Sequence, residues 1–293
     1  MKASPVCFVC IWLLTHSTLS VADDWLTYNI PRETHKRGPV RLRSGDTRFD
    51  YYLSRETETR DSHVASEEYR NGVLVKRILL KLGKLHGVQK EFYLDGSRKS
   101  EKPYKDGSME GVFKFWGKNG DLVGQYTVSG GTGGGVVYDS SGLVAREEHY
   151  KNGVKAGLLA EVEGDTIRIE HYQHGRIDMR VGFFKNNSEV ATIQFFSTEY
   201  SLPVGPAIGF SEEGVVKEIY WYVERTDFAT ATPAEYASLA ATKPTLPPYY
   251  KDVSAYKQLV PRDMQNLADR VRKAPRVKIP LEIDIDGKPK LGE

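Results

Sequence analysis

Glycines return along the middle of the chain at two alternating intervals, and this spacing limits the folds that the chain can adopt. The intervals are fifteen and nine residues, so the repeating unit is about 24 residues long. The glycines that keep them are Gly72, Gly87, Gly96, Gly111, Gly120, Gly133, Gly135, Gly142, Gly157, Gly205 and Gly214. Repeats of this length are typical of solenoids and extended arrays rather than of domains built around one core.

Aromatic residues keep step with the glycines. Tyr69, Tyr104 and Tyr150 each open a Tyr-x-Asn/Asp-Gly tetrad, and Tyr93 opens a further copy. Asn-Gly and Asp-Gly are strong turn signals because both residues accept positive φ at low cost. The stretches between the turns are short, rich in β-branched and aromatic residues, and alternate between two faces, as over Val88–Tyr93. They are therefore predicted to be strands.

The turns are too short for crossover helices, so consecutive strands should pair as antiparallel neighbours. The predicted fold is mainly β: an open antiparallel meander of repeated hairpins, followed by a small helical region and a final hairpin. A covering layer is also expected, because an open sheet with apolar residues needs one.

The tetrads, two of which are followed by a second glycine at Gly111 and Gly157, resemble the MORN repeat variant family of bacterial proteins, some of which are described as YwqK-type antitoxins. The clearest copies are residues 104–120 and 150–157, and the resemblance covers about half of the chain, from Tyr69 to Tyr222. It implies a single-layer sheet of hairpins that serves as a binding surface, with antitoxin or immunity roles in some members. The chain departs from the pattern at Ser129–Gly135 and again at 158–204, where irregular or partly unpaired copies are expected.

The first 22 residues have the features of a secretory signal peptide. Lys2 precedes an apolar run from Val6 to Leu14, and small residues close the segment at Ser20 and Ala22. The run is too short to span a membrane as a helix. Cleavage near Ala22 would remove both cysteines of the chain and leave a mature protein without disulfides. We therefore expect an exported protein, in the periplasm, the cell envelope or the medium.

Three further segments are predicted: an N-terminal segment or cap over 23–66, the hairpin array over 67–224, and a C-terminal region over 225–293. In the first, the basic run from Arg32 to Arg43 suggests a solvated linker, or else a contact patch for an acidic partner. Residues 48–55 are expected to form a strand that caps the array. In the last, helices are predicted at 233–242, 249–259 and 262–273, and a hairpin turn at 283–288.

Charge and motifs exclude several functions. Formal net charge is +2, and charges of both signs are interspersed, so a concentrated basic face for nucleic acid is not expected. The chain lacks a phosphate-binding loop, a nucleophile elbow and a zinc-protease motif. The run Gly130–Gly135 suggests a flexible turn, and His149 and His171 suggest surface histidines more than a zinc pair. No catalytic residue, cofactor or metal is predicted.

A ladder of aromatic residues is the candidate for partner binding, since Tyr and Trp dominate interface energetics. Its members are Tyr93, Trp116, Tyr126, Tyr138, Tyr150 and Tyr172. The competing interpretation is that these rings pack across strands and hold the repeats together. The residues expected to set specificity between them are Lys90, Glu91, Lys114, Gln125, Arg146, Glu148, Arg168 and Glu170.

The predicted function is that of an exported, non-catalytic repeat protein that binds another macromolecule through a sheet face. A protein is the expected partner, with toxin neutralisation as one role. Two alternatives stay open: binding of a carbohydrate or envelope polymer through the aromatic ladder, and an array that serves as adaptor for an enzymatic C-terminal region.

Overall fold

The computed structural model describes residues 24–42, 44–53, 59–197, 199, 201–222, 228–231, 253–284 and 288–292, and these residues form one long β-sheet with a helix on one face. Its strands are β1 His35–Arg41, β2 Thr47–Tyr52, β3 His63–Arg70, β4 Val73–Lys81, β5 Lys84–Leu85, β6 Gly87–Phe92, β7 Arg98–Lys105, β8 Ser108–Met109, β9 Gly111–Trp116, β10 Leu122–Ser129, β11 Thr132–Tyr138, β12 Val144–Lys151, β13 Val154–Lys155, β14 Gly157–Glu163, β15 Thr166–Gln173, β16 Arg176–Phe184, β17 Val190–Phe196, β18 Pro203–Phe210, β19 Val216–Tyr222 and β20 Phe228–Ala231. The predicted signal peptide lies outside the described residues.

Each long strand pairs antiparallel with the long strands that precede and follow it in the chain. The two-residue strands β5, β8 and β13 extend the turns between longer strands, which pair directly as β4 with β6, β7 with β9, and β12 with β14. Among the described residues β1 and β20 do not pair with each other, so the sheet is an open meander. This confirms the predicted fold class.

Four of the repeated glycines, together with Gly45, occupy one kind of turn. In the turn after β6, Gly96 donates its N–H to the carbonyl oxygen of Tyr93 at 3.0 Å, and Tyr93 donates to Ser97 at 2.9 Å. The same two bonds recur at four other turns, and all five glycines have φ between 82° and 85°. They are Gly45, Gly96, Gly120, Gly142 and Gly214. Such a φ is strained for residues with a side chain, so the spacing records where the chain must turn.

The glycine-rich stretch predicted as a flexible turn is mostly strand. Only Gly130 and Gly131 form the turn, and β11 begins at Thr132. A Cβ on Gly135 would come within 2.6 Å of the Tyr126 side chain. The glycines therefore make room for a neighbouring aromatic ring. The segment 158–204, expected to be irregular, is also regular, because β14 to β18 pair in sequence.

The basic run near the N-terminus is a strand rather than a linker. Residues 35–41 form β1, which pairs with β2 and lies at the outer edge of the sheet. The capping strand predicted over 48–55 is present as β2, but β1 lies outside it. The sheet therefore extends beyond the predicted array at both ends, from His35 to Ala231.

Strand register assigns every side chain to one of two faces, because residues directly opposite in neighbouring strands point the same way. The helix face carries Glu147, Ala160 and Ile169, which are opposite one another on β12, β14 and β15. The cleft face carries Phe115 and Arg146, whose strands are linked through Gly124 and Val137. The two names are used in this sense below.

Helix α1, Arg262–Lys273, covers part of the helix face, as predicted for a strand array that needs a second layer. Its apolar stripe includes Met264, Leu267 and Val271, which pack in one core with Ile169 and Val181. The segment Val253–Leu259, within the second predicted helix, is a 3-10 helix. The first predicted helix, 233–242, lies outside the described residues. No helix in the described part of the chain has the length and apolarity needed to span a bilayer.

After α1, the C-terminal tail (residues 274–292) runs along the turns at one end of the strands. Val277 donates its N–H to the carbonyl oxygen of Gly142 at 2.9 Å, and Leu281 donates to Leu122 at 2.6 Å. Within the tail, Ile283 bridges antiparallel to Pro289, as the predicted final hairpin requires. The tip of that hairpin, 285–287, lies outside the described residues.

Because the C-terminal tail packs against one of two equivalent turns, replacing the glycine of each turn by alanine should lower the free energy of unfolding by different amounts. Gly120 and Gly142 have φ of 85° and 82°, so both variants carry similar backbone strain of about 1 kcal/mol. A Cβ at Gly142 would also overlap the carbonyl oxygen of Val277, whereas nothing lies within 4 Å of a Cβ at Gly120. We expect Gly142→Ala to lower the free energy of unfolding by about 1–2 kcal/mol more than Gly120→Ala.

Chemical denaturation measures this difference, and limited proteolysis followed by mass spectrometry shows whether the tail has been released. Cleavage within residues 274–292 should accelerate in Gly142→Ala alone. Equal stability and equal cleavage of the two variants would mean that the tail does not press on the Gly142 turn.

A buried carboxylate joins α1 to the sheet. Glu147 on the helix face is only 5% exposed, and its Oε1 lies 2.8 Å from both His149 Nε2 and Arg270 Nη2. Burial alone would raise the pKa of Glu147, but the bonds from His149 and Arg270 outweigh it and lower the pKa to about 2. This stabilisation is present above the usual carboxyl pKa of 4.5 and is lost as the pH falls toward 2.

Arg270→Met should therefore lower the free energy of unfolding by about 1–2 kcal/mol at pH 7, a figure reduced because Arg270 is largely exposed. The gap to wild type should narrow as the pH falls from 4.5 to 2. Lys273→Met is the matched control, since its ion pair with Asp269 at 3.8 Å is a surface pair worth less than about 0.5 kcal/mol. Urea unfolding across this pH range tests both, and a gap that stays constant down to pH 2 would contradict the assignment.

Candidate functional site

A cleft of about 550 Å³ opens on the cleft face between β6 and β12. Its wall combines rings and charges, and the residues that matter below are Tyr93, Lys102, Phe115, Trp116, Tyr138 and Arg146. All six are carried by strands of the repeat array or by the ends of those strands. The cleft is therefore built by neighbouring repeats and not by an inserted loop.

Glycines in β10 and β11 allow an aromatic cluster to form beside this cleft. Gly124, Gly133 and Gly135 lie on the cleft face, where a Cβ on Gly124 would come within 2.9 Å of the Val137 side chain. The rings of the cluster lie 5.4–6.4 Å apart, centroid to centroid. They belong to Tyr104, Phe113, Phe115, Tyr126 and Tyr150. These closely packed rings form the floor of the cleft and support the side chains that line it.

Glu148 joins the cluster to the cleft through hydrogen bonds. Its Oε2 accepts from the Tyr126 hydroxyl at 2.6 Å and from the Tyr150 hydroxyl at 3.2 Å, and its Oε1 lies 3.0 Å from Arg146 Nε. Burial would raise the pKa of Glu148, but Arg146 and the Tyr126 hydroxyl lower it below its usual range. Burial, with the Glu148 charge beside it, raises the pKa of Tyr126. The carboxylate therefore stays charged and the phenol stays protonated.

Two cations lie over the same ring. The Cζ of Arg146 is 4.7 Å from the Phe115 ring centroid, and the Nζ of Lys102 is 5.6 Å from it. Burial lowers the pKa of the Lys102 ammonium, although Glu148 and Glu91 partly oppose that shift. The floor of the cleft is thus aromatic and positively charged at the same place.

Three aromatic residues line the cleft near the turns. Tyr93 donates its hydroxyl to the backbone carbonyl oxygen of Trp116 at 2.8 Å, which anchors the Tyr93 side chain to the end of β9 across β7. The guanidinium of Arg98 lies 5.2 Å from the Trp116 ring centroid and covers one of its faces. Tyr138 lines the cleft from β11.

The predicted aromatic ladder divides into three groups. Tyr93, Trp116 and Tyr138 line the cleft. Tyr126 and Tyr150 are buried in the aromatic cluster, 7% and 8% exposed. Tyr172 lies farther along the cleft face on β15, where its hydroxyl donates to Glu170 at 2.8 Å.

The residues expected to set specificity divide between the two faces. Lys90, Lys114 and Gln125 lie on the helix face, as does Glu101, which is opposite both Lys90 and Lys114. Glu91, Arg146, Glu148, Arg168 and Glu170 lie on the cleft face. Lys102 was not among the predicted residues. It could have been found from the sequence, because Glu stands two residues before Tyr at Glu148–Tyr150 and Glu170–Tyr172, whereas Lys102 stands in that position before Tyr104.

The histidines considered as a zinc pair are engaged with carboxylates. His149 Nε2 lies 2.8 Å from Glu147, and His171 Nδ1 lies 2.8 Å from Asp178. Within the described ranges, no three His, Cys, Asp or Glu side chains are grouped so that they could hold a metal ion.

Comparison with known families identifies the repeat at the edge of this cleft. The family model for the MORN repeat variant matches residues 85–106. This stretch is similar to a MORN repeat variant. It contains β6, the glycine turn at Gly96 and β7, so it supplies Glu91, Tyr93 and Lys102 to the cleft. MORN repeats are generally non-enzymatic binding modules. No curated protein sequence matches the chain.

The hydrogen bond between Tyr126 and Glu148 predicts a difference between two tyrosines. Tyr126→Phe should lower the free energy of unfolding by about 1–2 kcal/mol, because it removes a buried bond to a charged acceptor. Tyr220→Phe is the control, since Tyr220 also donates to a carboxylate, Glu218 at 2.6 Å, but at an exposed place. At that exposed place water replaces the lost bond, so no measurable loss of stability is expected. Equilibrium unfolding in urea measures both, and equal costs would show that the Glu148 network does not stabilise the sheet.

Proposed function

We propose that this chain is an exported, non-catalytic MORN-repeat protein that binds a protein partner through the cleft on its cleft face. The observation that carries the proposal is the lining of the cleft, where Tyr93, Trp116 and Tyr138 lie beside Arg146. Tyr, Trp and Arg are the residues that contribute most to protein–protein binding energy. A cleft on a sheet of repeats also fits a binding module better than a reaction centre, since its walls are stable strands.

The apolar N-terminal sequence supports export, because Val6–Leu14 and the small residues up to Ala22 match a cleavable signal. The family resemblance implies a toxin as one class of partner, and in that case the chain would neutralise the toxin by occupying its surface. Expression with the native N-terminus in a bacterial host, followed by N-terminal sequencing of the exported fraction, tests cleavage near Ala22. An uncleaved chain retained in the cytoplasm would contradict export.

Binding of a carbohydrate or envelope polymer is the alternative, and the geometry of Trp116 makes it less favourable. A sugar stacks on an open ring face, but Arg98 already occupies one face of this indole. Tyr93 is likewise held through its hydroxyl. Rings that are held beside a guanidinium in this way suit the mixed polar and apolar surface of a protein.

A peptide-display selection on the immobilised mature chain tests the binding function. We expect enriched peptides to lose at least about tenfold in affinity for a Trp116→Ala, Tyr138→Ala double variant, since each aromatic anchor contributes on the order of 1 kcal/mol or more. Tyr220→Ala is the matched control, an aromatic residue on the same face but outside the cleft. Fluorescence anisotropy measures the affinities. Peptides that bind the double variant as tightly as wild type, or binding to a glycan array that the double variant loses, would overturn the protein-binding proposal.

A further inference from the structure

One repeat carries a charge opposite to that of its counterparts. On the cleft face, Tyr150 and Tyr172 each lie just before a turn and donate their hydroxyls to the glutamate two residues earlier. Tyr104 has the corresponding position before the turn at Asp106–Gly107. The residue two before it is Lys102. At this repeat the array therefore carries a cation, which lines the cleft, in place of a structural anion.

The carboxylates of the cleft are already engaged. Glu148 is held by Arg146 and by the hydroxyls of Tyr126 and Tyr150. Glu91 lies 3.9 Å from Lys99 Nζ and accepts from Ser100 Oγ at 3.4 Å. Neither carboxylate forms an ion pair with Lys102.

Lys102 itself has no such partner in the described part of the chain, where no carboxylate oxygen lies within the 4.0 Å of an ion pair from its Nζ. Its ammonium lies over the Phe115 ring, in a half-buried position. Taking a charge partly out of water is unfavourable unless an opposite charge compensates for it. An anion brought by a ligand would supply that compensation.

We propose that Lys102 binds a carboxylate of the partner, so that the cleft selects an acidic segment of a protein. This inference rests on the proposed function and names the chemistry of its partner. Arg146 lies over the same Phe115 ring, but its charge is already paired with Glu148, so Lys102 is the cation offered to the ligand. The rings of Tyr93, Trp116 and Tyr138 would contact the residues that flank the acidic one.

The charges of the cleft favour a carboxylate over a phosphate or a nucleic acid. Glu91 and Glu148 face the same space, and their negative charge would oppose a dianionic group or a polyanion. A single carboxylate needs one cation, which Lys102 offers without disturbing the Arg146–Glu148 pair. Acidic side chains on a partner's loop meet this requirement.

The test uses two fluorescein-labelled octapeptides, one of alternating Glu and Tyr and one with Gln in place of Glu, at about 0.15 M salt. Wild type should bind the Glu peptide at least about tenfold more tightly than the Gln peptide, as expected for a charge-assisted bond. Lys102→Met should remove this preference, and Lys102→Arg should retain it. Lys114→Met is the control for net charge, because Lys114 lies on the helix face of the adjacent strand β9.

Lys102→Met removes a half-buried charge that lacks an ion pair, so its unfolding temperature should equal or exceed that of wild type. Thermal unfolding therefore separates lost recognition from lost folding. Equal binding of the two peptides by wild type, or a Glu preference that survives Lys102→Met, would overturn the role of Lys102. In that event, a display selection that still depends on Trp116 and Tyr138 would leave the proposed function standing. A selection that does not depend on them would reject the proposed function on separate grounds.

Discussion

Strand register is the constraint on which both faces of this sheet depend. Glu147 joins the sheet to helix α1, and Glu148, the next residue, joins the aromatic cluster to the cleft. A slip of one residue in β12 would exchange the two carboxylates between faces, because side chains alternate along a strand. The turns prevent such a slip. Gly131 donates to the carbonyl oxygen of Met109, and Gly153 donates to that of Gly131, each at 2.9 Å, so successive turns hold one another in place.

The regular part of the fold could be predicted because the responsible signals are local. Gly96 and Gly120 mark turns through a backbone conformation that other residues adopt only with strain, and this requirement is visible in the spacing alone. Helix α1 was also predictable, since Met264, Leu267 and Val271 repeat with the period of a helix that buries one side. In both cases the residues that determine the local structure are close together in the sequence.

Other features depend on neighbours that are distant in the chain. Strand β1 is exposed and has few apolar residues, so its sequence does not indicate a strand. It forms because β2 provides hydrogen-bond partners for its backbone. Gly135 lies in a strand because Tyr126 packs over it, which spacing does not reveal. The burial of Tyr126 and Tyr150 likewise follows from their packing against Phe113, which lies on another strand. Lys102 was detectable only by aligning it with Glu148 and Glu170, whose structural role became clear from their hydrogen bonds.

An open sheet built from hairpins has a first strand whose outer N–H and C=O groups can accept another chain, and β1 is that strand here. Its sequence includes Lys36, Arg37 and Arg41, together with Pro39, which lacks an N–H to donate. The positive charges of two such strands would repel each other, and Pro39 cannot donate a hydrogen bond to a neighbouring strand. Both effects oppose edge-to-edge pairing of two molecules. The basic run thus works against the addition of a further strand at this edge of the array.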